Sequence, residues 1–144
     1  MQRRQLLAVT GGLIATSGCL TRIGDSSDSA DESDDFDIGM SQNAFVPEEY
    51  VTSVGSVVRW KNNGSRAHTV TAYAGGIPSD AAFFATGDFT DELTARSDWH
   101  ESGAGNIYTG ERYEVEFTVP GEYLYFCIPH EPRGMIGQVT VEEE

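Results

Sequence analysis

Near its C-terminus the chain carries the string Tyr125-Phe126-Cys127-Ile128-Pro129-His130-Glu131-Pro132-Arg133-Gly134-Met135-Ile136-Gly137. It places a thiol, an imidazole and a thioether at the spacing C-x2-H-x4-M, in a stretch that a loop between two strands could hold around one ion. Only two cysteines, three histidines and three methionines occur in 144 residues, so a histidine-built metal site must be small. A thiolate and two imidazoles with a weak axial thioether satisfy neither oxidation state of copper fully. Cu(I) favours soft sulfur and low coordination, Cu(II) favours nitrogen and a tetragonal arrangement, and the compromise is the donor set of a type 1 (blue) copper site. A loop that fixes this geometry lets an electron arrive or leave with little rearrangement, which suits outer-sphere transfer. Zinc can also occupy such a site adventitiously.

The second imidazole must come from elsewhere in the chain. His68 opens a predicted strand after the turn Asn62-Asn63-Gly64-Ser65 and shares its inward face with Val70. The fold can therefore bring it beside the Cys127 loop. His100 lies in Trp99-His100-Glu101, among expected loop residues, and reads as a surface histidine. Met40 has no positional support as a ligand and reads as core or edge packing.

Strands are the elements that must position these groups. Tyr113, Val115, Phe117 and Val119 alternate with Glu114, Glu116 and Thr118, the period of a half-buried strand. Pro120-Gly121 turns the chain into a second strand over 122–127, where Tyr123, Tyr125 and Cys127 share a face. A last strand over 137–142 turns Val139 and Val141 inward. Upstream, 50–54, 57–61 and 68–73 read as three strands separated by turns, with a first strand at 36–40. About seven short strands over some 109 residues predict an all-β Greek-key sandwich. Residues 75–107 break the rhythm and predict an insertion with one or two short helices, Ser79 capping one over 80–86. Leu124 and Phe126, facing away from Cys127, are the expected surface beneath that insertion.

The first residues read as an address. Arg3 and Arg4 precede two leucines and an uncharged run through Gly18, too short for the roughly 20 apolar residues of a bilayer span. Residues 1–18 resemble a twin-arginine lipoprotein signal. Thr16-Ser17-Gly18-Cys19 resembles a lipobox, with Thr16 departing from the usual leucine, and predicts lipidation of Cys19. Residues 19–36 then supply an acidic tether, in which Asp25 to Asp35 are all Ser, Asp or Glu except for Ala30 and offer nothing apolar to bury. Residues 37–144 form the expected metal domain, held at the extracytoplasmic face of the cell membrane.

Charge narrows the function classes further. Nine Lys+Arg stand against 23 Asp+Glu, a formal charge of −14, which excludes the basic footprint of a nucleic-acid binder. The stretch from residue 36 alone carries −11, and Lys61 is the only lysine. Such a composition fits a protein of very high salt, where self-repulsion is screened over about 3 Å at 1 M; an ordinary acidic secreted protein has the same signature.

With these residues in hand, the chain resembles the plastocyanin and azurin group of cupredoxins, and within it the halocyanins, membrane-attached small blue copper proteins of salt-loving archaea. The resemblance is carried by Phe45-Val46-Pro47, Val58-Arg59-Trp60-Lys61-Asn62, His68-Thr69-Val70, Pro120-Gly121-Glu122-Tyr123 and the loop from Cys127 to Gly137. It implies that His68, Cys127, His130 and Met135 are the copper ligands, and that electrons pass through an exposed His130 ringed by Ile128, Pro129 and Met135. It also implies a monomeric carrier working between a respiratory donor and a terminal oxidase or other acceptor. Thr69 departs from the asparagine usual in plastocyanins, and the insertion stretches the separation of His68 and Cys127. A copper chaperone or store would exchange metal through exposed sulfur or imidazole pairs, unlike a framed four-ligand site. The electron-accepting part of a copper enzyme would need a second, His-rich site that three histidines cannot supply.

Overall fold

A computed structural model describes residues 35–143. The signal at 1–18, Cys19 and the tether as far as residue 34 lie outside the described residues. Eight strands form two four-stranded sheets. The first, in the order β2-β1-β4-β6, is built from β1 (Ile38–Met40), β2 (Phe45–Val46), β4 (Ser56–Asn62) and β6 (Arg112–Phe117). The second, β3-β8-β7-β5, is built from β3 (Glu49–Ser53), β5 (Thr71–Ala72), β7 (Gly121–Phe126) and β8 (Ile136–Glu142). Both sheets are mixed: β1 runs parallel to β4 and β3 parallel to β8, while the remaining pairs are antiparallel. The expected sandwich is thus present, with β2 as a strand the alternation did not announce.

Alternation explains which faces close on one another. Val58, Trp60 and Asn62 of β4 are buried, as are Tyr123 and Tyr125 of β7 and Val139 and Val141 of β8. Aromatic side chains join the two sheets across the core. Trp60 meets Tyr125 edge-on at 5.3 Å, Phe45 meets the same ring at 4.6 Å, and Phe117 meets Tyr123 at 4.7 Å. Such T-shaped pairs place a ring edge against a ring face and add to the gain from burial. Gly137 is required by this packing, because a Cβ there would lie 2.5 Å from the Tyr125 ring.

The insertion differs from expectation in its helix. Residues 80–86 are not helical: Phe84 O accepts from Ala72 N–H at 3.0 Å, and Thr86 N–H donates to Val70 O at 2.8 Å. The segment thereby lines the open side of β5, and Phe84 enters the core against Trp60 and Phe117. Pairing with β5 and burying a phenyl ring outweigh a weak cap at Ser79. The helix lies later, as α1 (Glu92–Ser102). Asp91 caps it, accepting from Thr94 N–H at 2.8 Å and Thr94 Oγ1–H at 3.0 Å, and Gly103 at φ 75° ends it with a bond to Trp99 O. His100 is therefore helical rather than in a loop, and it is exposed as expected. Ala95, Phe126, Ala85 and Ile128 form a second apolar cluster, with Tyr73, Phe89 and Trp99 at its margin. Phe126 is fully covered, whereas Leu124 stays 38% exposed, so the insertion shields only one of the two expected side chains. Among the described residues no helix is long and apolar enough to cross a membrane.

Candidate metal centre

His68, Cys127 and His130 converge at one end of the sandwich. Their ligand-capable atoms all lie within 4.8 Å of one another, and no second group of three such residues occurs among the described residues. Cys127 Sγ stands 3.5 Å from His68 Nδ1 and 3.4 Å from His130 Nδ1, and the imidazole centroids are 4.8 Å apart. Donors about 2.0–2.3 Å from one first-row ion keep separations of about 3.5 Å from each other, so these side chains are preset for a shared ion. His68 and Cys127 are wholly buried and His130 is 7% exposed, which makes His130 the donor nearest solvent.

Each donor is held by a different device. The predicted strand 68–73 shrinks to Thr71–Ala72, and His68 instead forms a two-residue bridge with Ile107, exchanging bonds of 3.1 and 2.8 Å. Asn62 sets that bridge in place: its Nδ2 donates to Ile107 O at 2.9 Å and Arg66 O at 2.7 Å, while its Oδ1 accepts from Gly64 N–H at 3.0 Å. This role was visible in the sequence only as the start of the turn 62–65. The same bridge fastens the end of the insertion beside His68, so the separation of 59 positions between His68 and Cys127 costs the site nothing in geometry.

Cys127 directly follows β7, and the next six residues, Ile128–Arg133, coil into a 3-10 turn carrying His130. Backbone bonds close the loop on itself. His130 N–H donates to Cys127 O at 3.1 Å, Met135 N–H to His130 O at 3.2 Å, and Cys127 N–H to Met135 O at 3.1 Å. Gly134, at φ 89°, supplies the left-handed turn that brings Met135 back beside the other three, its side chain fully buried. Thr69 ties the two halves together: its N–H donates to Cys127 Sγ at 3.4 Å and its Oγ1 accepts from Ile128 N–H at 2.8 Å. In the sequence Thr69 stands out only as a departure from the asparagine usual in plastocyanins. Its hydroxyl, an acceptor of the right reach, was the available signal.

Burial governs the protonation of the donors. Desolvation pushes the Cys127 thiol up to about 11, against a smaller lowering by the Thr69 N–H. Desolvation, followed by the neighbouring His130 ring, pulls His68 down to about 4. His130 is lowered too, by burial first and then by the Arg66 and Arg133 charges. At neutral pH the site therefore presents two neutral imidazoles and a thiol that loses its proton only to a cation.

Over residues 33–142 the chain matches the family described as copper binding proteins, plastocyanin/azurin family. The chain belongs to that family. Plastocyanin from Capsella bursa-pastoris is 36% identical over 100 residues, which span 68% of this chain and 87% of that one. The chloroplastic plastocyanin major isoform of Arabidopsis thaliana is 37% identical over 100 residues, and there the match spans 68% of this chain but about half (52%) of the relative's length. Among solved structures, amicyanin from Paracoccus versutus is 26% identical with a TM-score of 0.53, over 76% of this chain and 82% of that one. Copper is the metal of this plastocyanin/azurin family, and the buried thiol flanked by two imidazole nitrogens is a donor set that fits it.

Proposed function

We propose that this protein is a one-electron carrier with a single type 1 copper held by His68, Cys127, His130 and Met135. The observation that carries the reading is the convergence of the Cys127 thiol and two imidazole Nδ1 atoms at 3.4–3.5 Å in a buried, preformed site. Copper, when bound, supplies the Cu(II)/Cu(I) couple. The chain's residues do the rest: the Thr69 N–H bond to Sγ and the closed backbone ring from Cys127 to Met135 hold the donors in one geometry, which lowers the rearrangement that each electron demands. The surrounding core excludes water, and His130, the donor nearest solvent, is the exit toward a redox partner. Donors this deeply buried argue against a chaperone that trades metal through exposed side chains.

The same proposal places the domain on the extracytoplasmic face of the cell membrane, in the manner of halocyanins. A lipid on Cys19 anchors it, the acidic tether spaces it, and a respiratory donor and a terminal oxidase or other acceptor are its partners. The twin arginines, the Thr16–Cys19 lipobox and the acid excess support this part. Two measurements test the whole. Copper-reconstituted protein is expected to show an intense thiolate-to-Cu(II) band that bleaches reversibly on reduction and is absent in Cys127→Ser; a colourless reconstituted protein would sink the carrier. Cys19→Ser is expected to release the protein from membranes in detergent partition, and unchanged partition would refute the anchor.

A further inference from the structure

One side chain of the insertion touches the flanks of two metal donors at once. Arg96, on α1, donates through Nη1 to Glu131 Oε1 at 2.8 Å and through Nη2 to Glu131 Oε2 at 3.2 Å. Glu131 follows His130 in the metal loop and also accepts from Tyr73 Oη–H at 2.6 Å. The Arg96 guanidinium lies 4.2 Å from the centroid of Phe126, the residue before Cys127, and Tyr73 stacks on the same ring at 4.4 Å. On the helix side, Arg96 Nε donates to Glu92 Oε2 at 2.8 Å, and Glu92 Oε1 accepts from Ala74 N–H at 2.8 Å. A planar, permanently charged fork is suited to this double task, because it can pair a carboxylate bidentately while its face stacks on an aromatic ring. At 2.8 Å the contact is also shorter than the roughly 3 Å screening length of molar salt.

We propose that α1 is a brace for the metal loop and that Arg96 is its positioning residue, acting through Glu131 on His130 and through Phe126 on Cys127. The ring of backbone bonds from Cys127 to Met135 ties the loop to itself, but side chains must fix its place against the sandwich. Thr69 does so at Ile128, and the Tyr73–Glu131–Arg96 cluster does so at the far end of the 3-10 turn. Without the second tie the His130 end of the loop is free to shift while the sheets stay intact. The consequence for copper rests on the proposed function. The brace itself does not, and is read in metal-free protein.

Amide hydrogen exchange of the metal-free full chain tests it. The His130, Gly134 and Met135 amides, all bonded to carbonyls within the loop, are expected to exchange about tenfold faster in Arg96→Met and in Glu131→Gln, as befits loss of a charge-assisted bidentate pair. Val58 and Trp60 amides in β4 should be unchanged. The double variant should be no faster than Arg96→Met alone, because that change already removes the Arg96–Glu131 contact. Arg96→Lys, a point charge without the fork, should restore part of the protection. Release of zinc to a chelator from the loaded protein should quicken by a similar factor in the same variants. Unaltered loop amides, an additive double variant or equal acceleration at β4 would each overturn the brace. Should Arg96→Met not fold, Glu131→Gln carries the test, since it leaves every residue of α1 in place.

Discussion

Loading the centre with zinc at neutral pH is expected to release one proton, drawn from Cys127. Zinc is the useful probe because it accepts thiolate and imidazole donors without redox chemistry. The Cys127 thiol, pushed up to about 11 by burial, is fully protonated at pH 7 and must ionise to bind. His68, held near 4, and His130, held below the usual histidine range, are already neutral and have nothing to lose. Between pH 7 and 10 the apparent affinity should therefore rise tenfold per pH unit. At pH 7 it should lie about 10⁴-fold below its high-pH limit, because the thiol sits about four units above ambient pH. An ordinary thiol near 9 would give about a hundredfold, so burial of Cys127 lowers the neutral-pH affinity by a further factor of about 100, or about 2.7 kcal/mol. Competition with a chromophoric chelator gives the affinity, and a pH indicator in weak buffer counts the protons. Release of no proton at pH 7 would mean a preformed thiolate, and release of two would mean a charged imidazole; either result refutes the account of the site.

Three other outcomes follow from the packing and the charges. Metal-free protein should lose about 2–3 kcal/mol of stability between pH 6.5 and 4.5: the unfolded chain binds a proton at His68 that the native state, with that pKa near 4, refuses until lower pH, and urea midpoints across this window, flat if the idea fails, decide it. Gly137→Ala should cost about 1–3 kcal/mol by forcing the buried Tyr125 ring off its contacts with Trp60 and Phe45, and an unchanged denaturation midpoint would show that the ring yields freely. Thr69→Val keeps the shape of the side chain but strands the Ile128 N–H, so a loss of about 1–3 kcal/mol is expected in metal-free protein; a neutral result would mean that another acceptor takes that proton.

The sequence alone pointed to His68, Cys127, His130 and Met135 as candidate donors, because a metal site of this kind is written in residue types and short spacing. Cys127, His130 and Met135 fall within one nine-residue loop, and few other histidines competed for the fourth place. It also determined the sandwich, since period-two alternation in β4, β6, β7 and β8 leaves one apolar face per strand to bury. Where local pattern was weak, tertiary structure decided. Residues 84–86 gave up a possible helix because β5 offered backbone partners and the core offered Phe84 a pocket, neither of which a local window contains. The real helix announced itself only through Asp91 and Gly103, since Ala95 is its one buried residue and it carries no apolar stripe to read. Protonation of the donors was likewise invisible in one dimension: the same cysteine in solvent would ionise about two units lower, and only enclosure by the packed sheets and loop makes the thiol wait for a cation. The link from Arg96 to Glu131 spans 35 residues and joins two elements that composition treats as unrelated. It exists because the folded chain lays α1 against the back of Phe126, where a guanidinium can reach both sides of the metal loop.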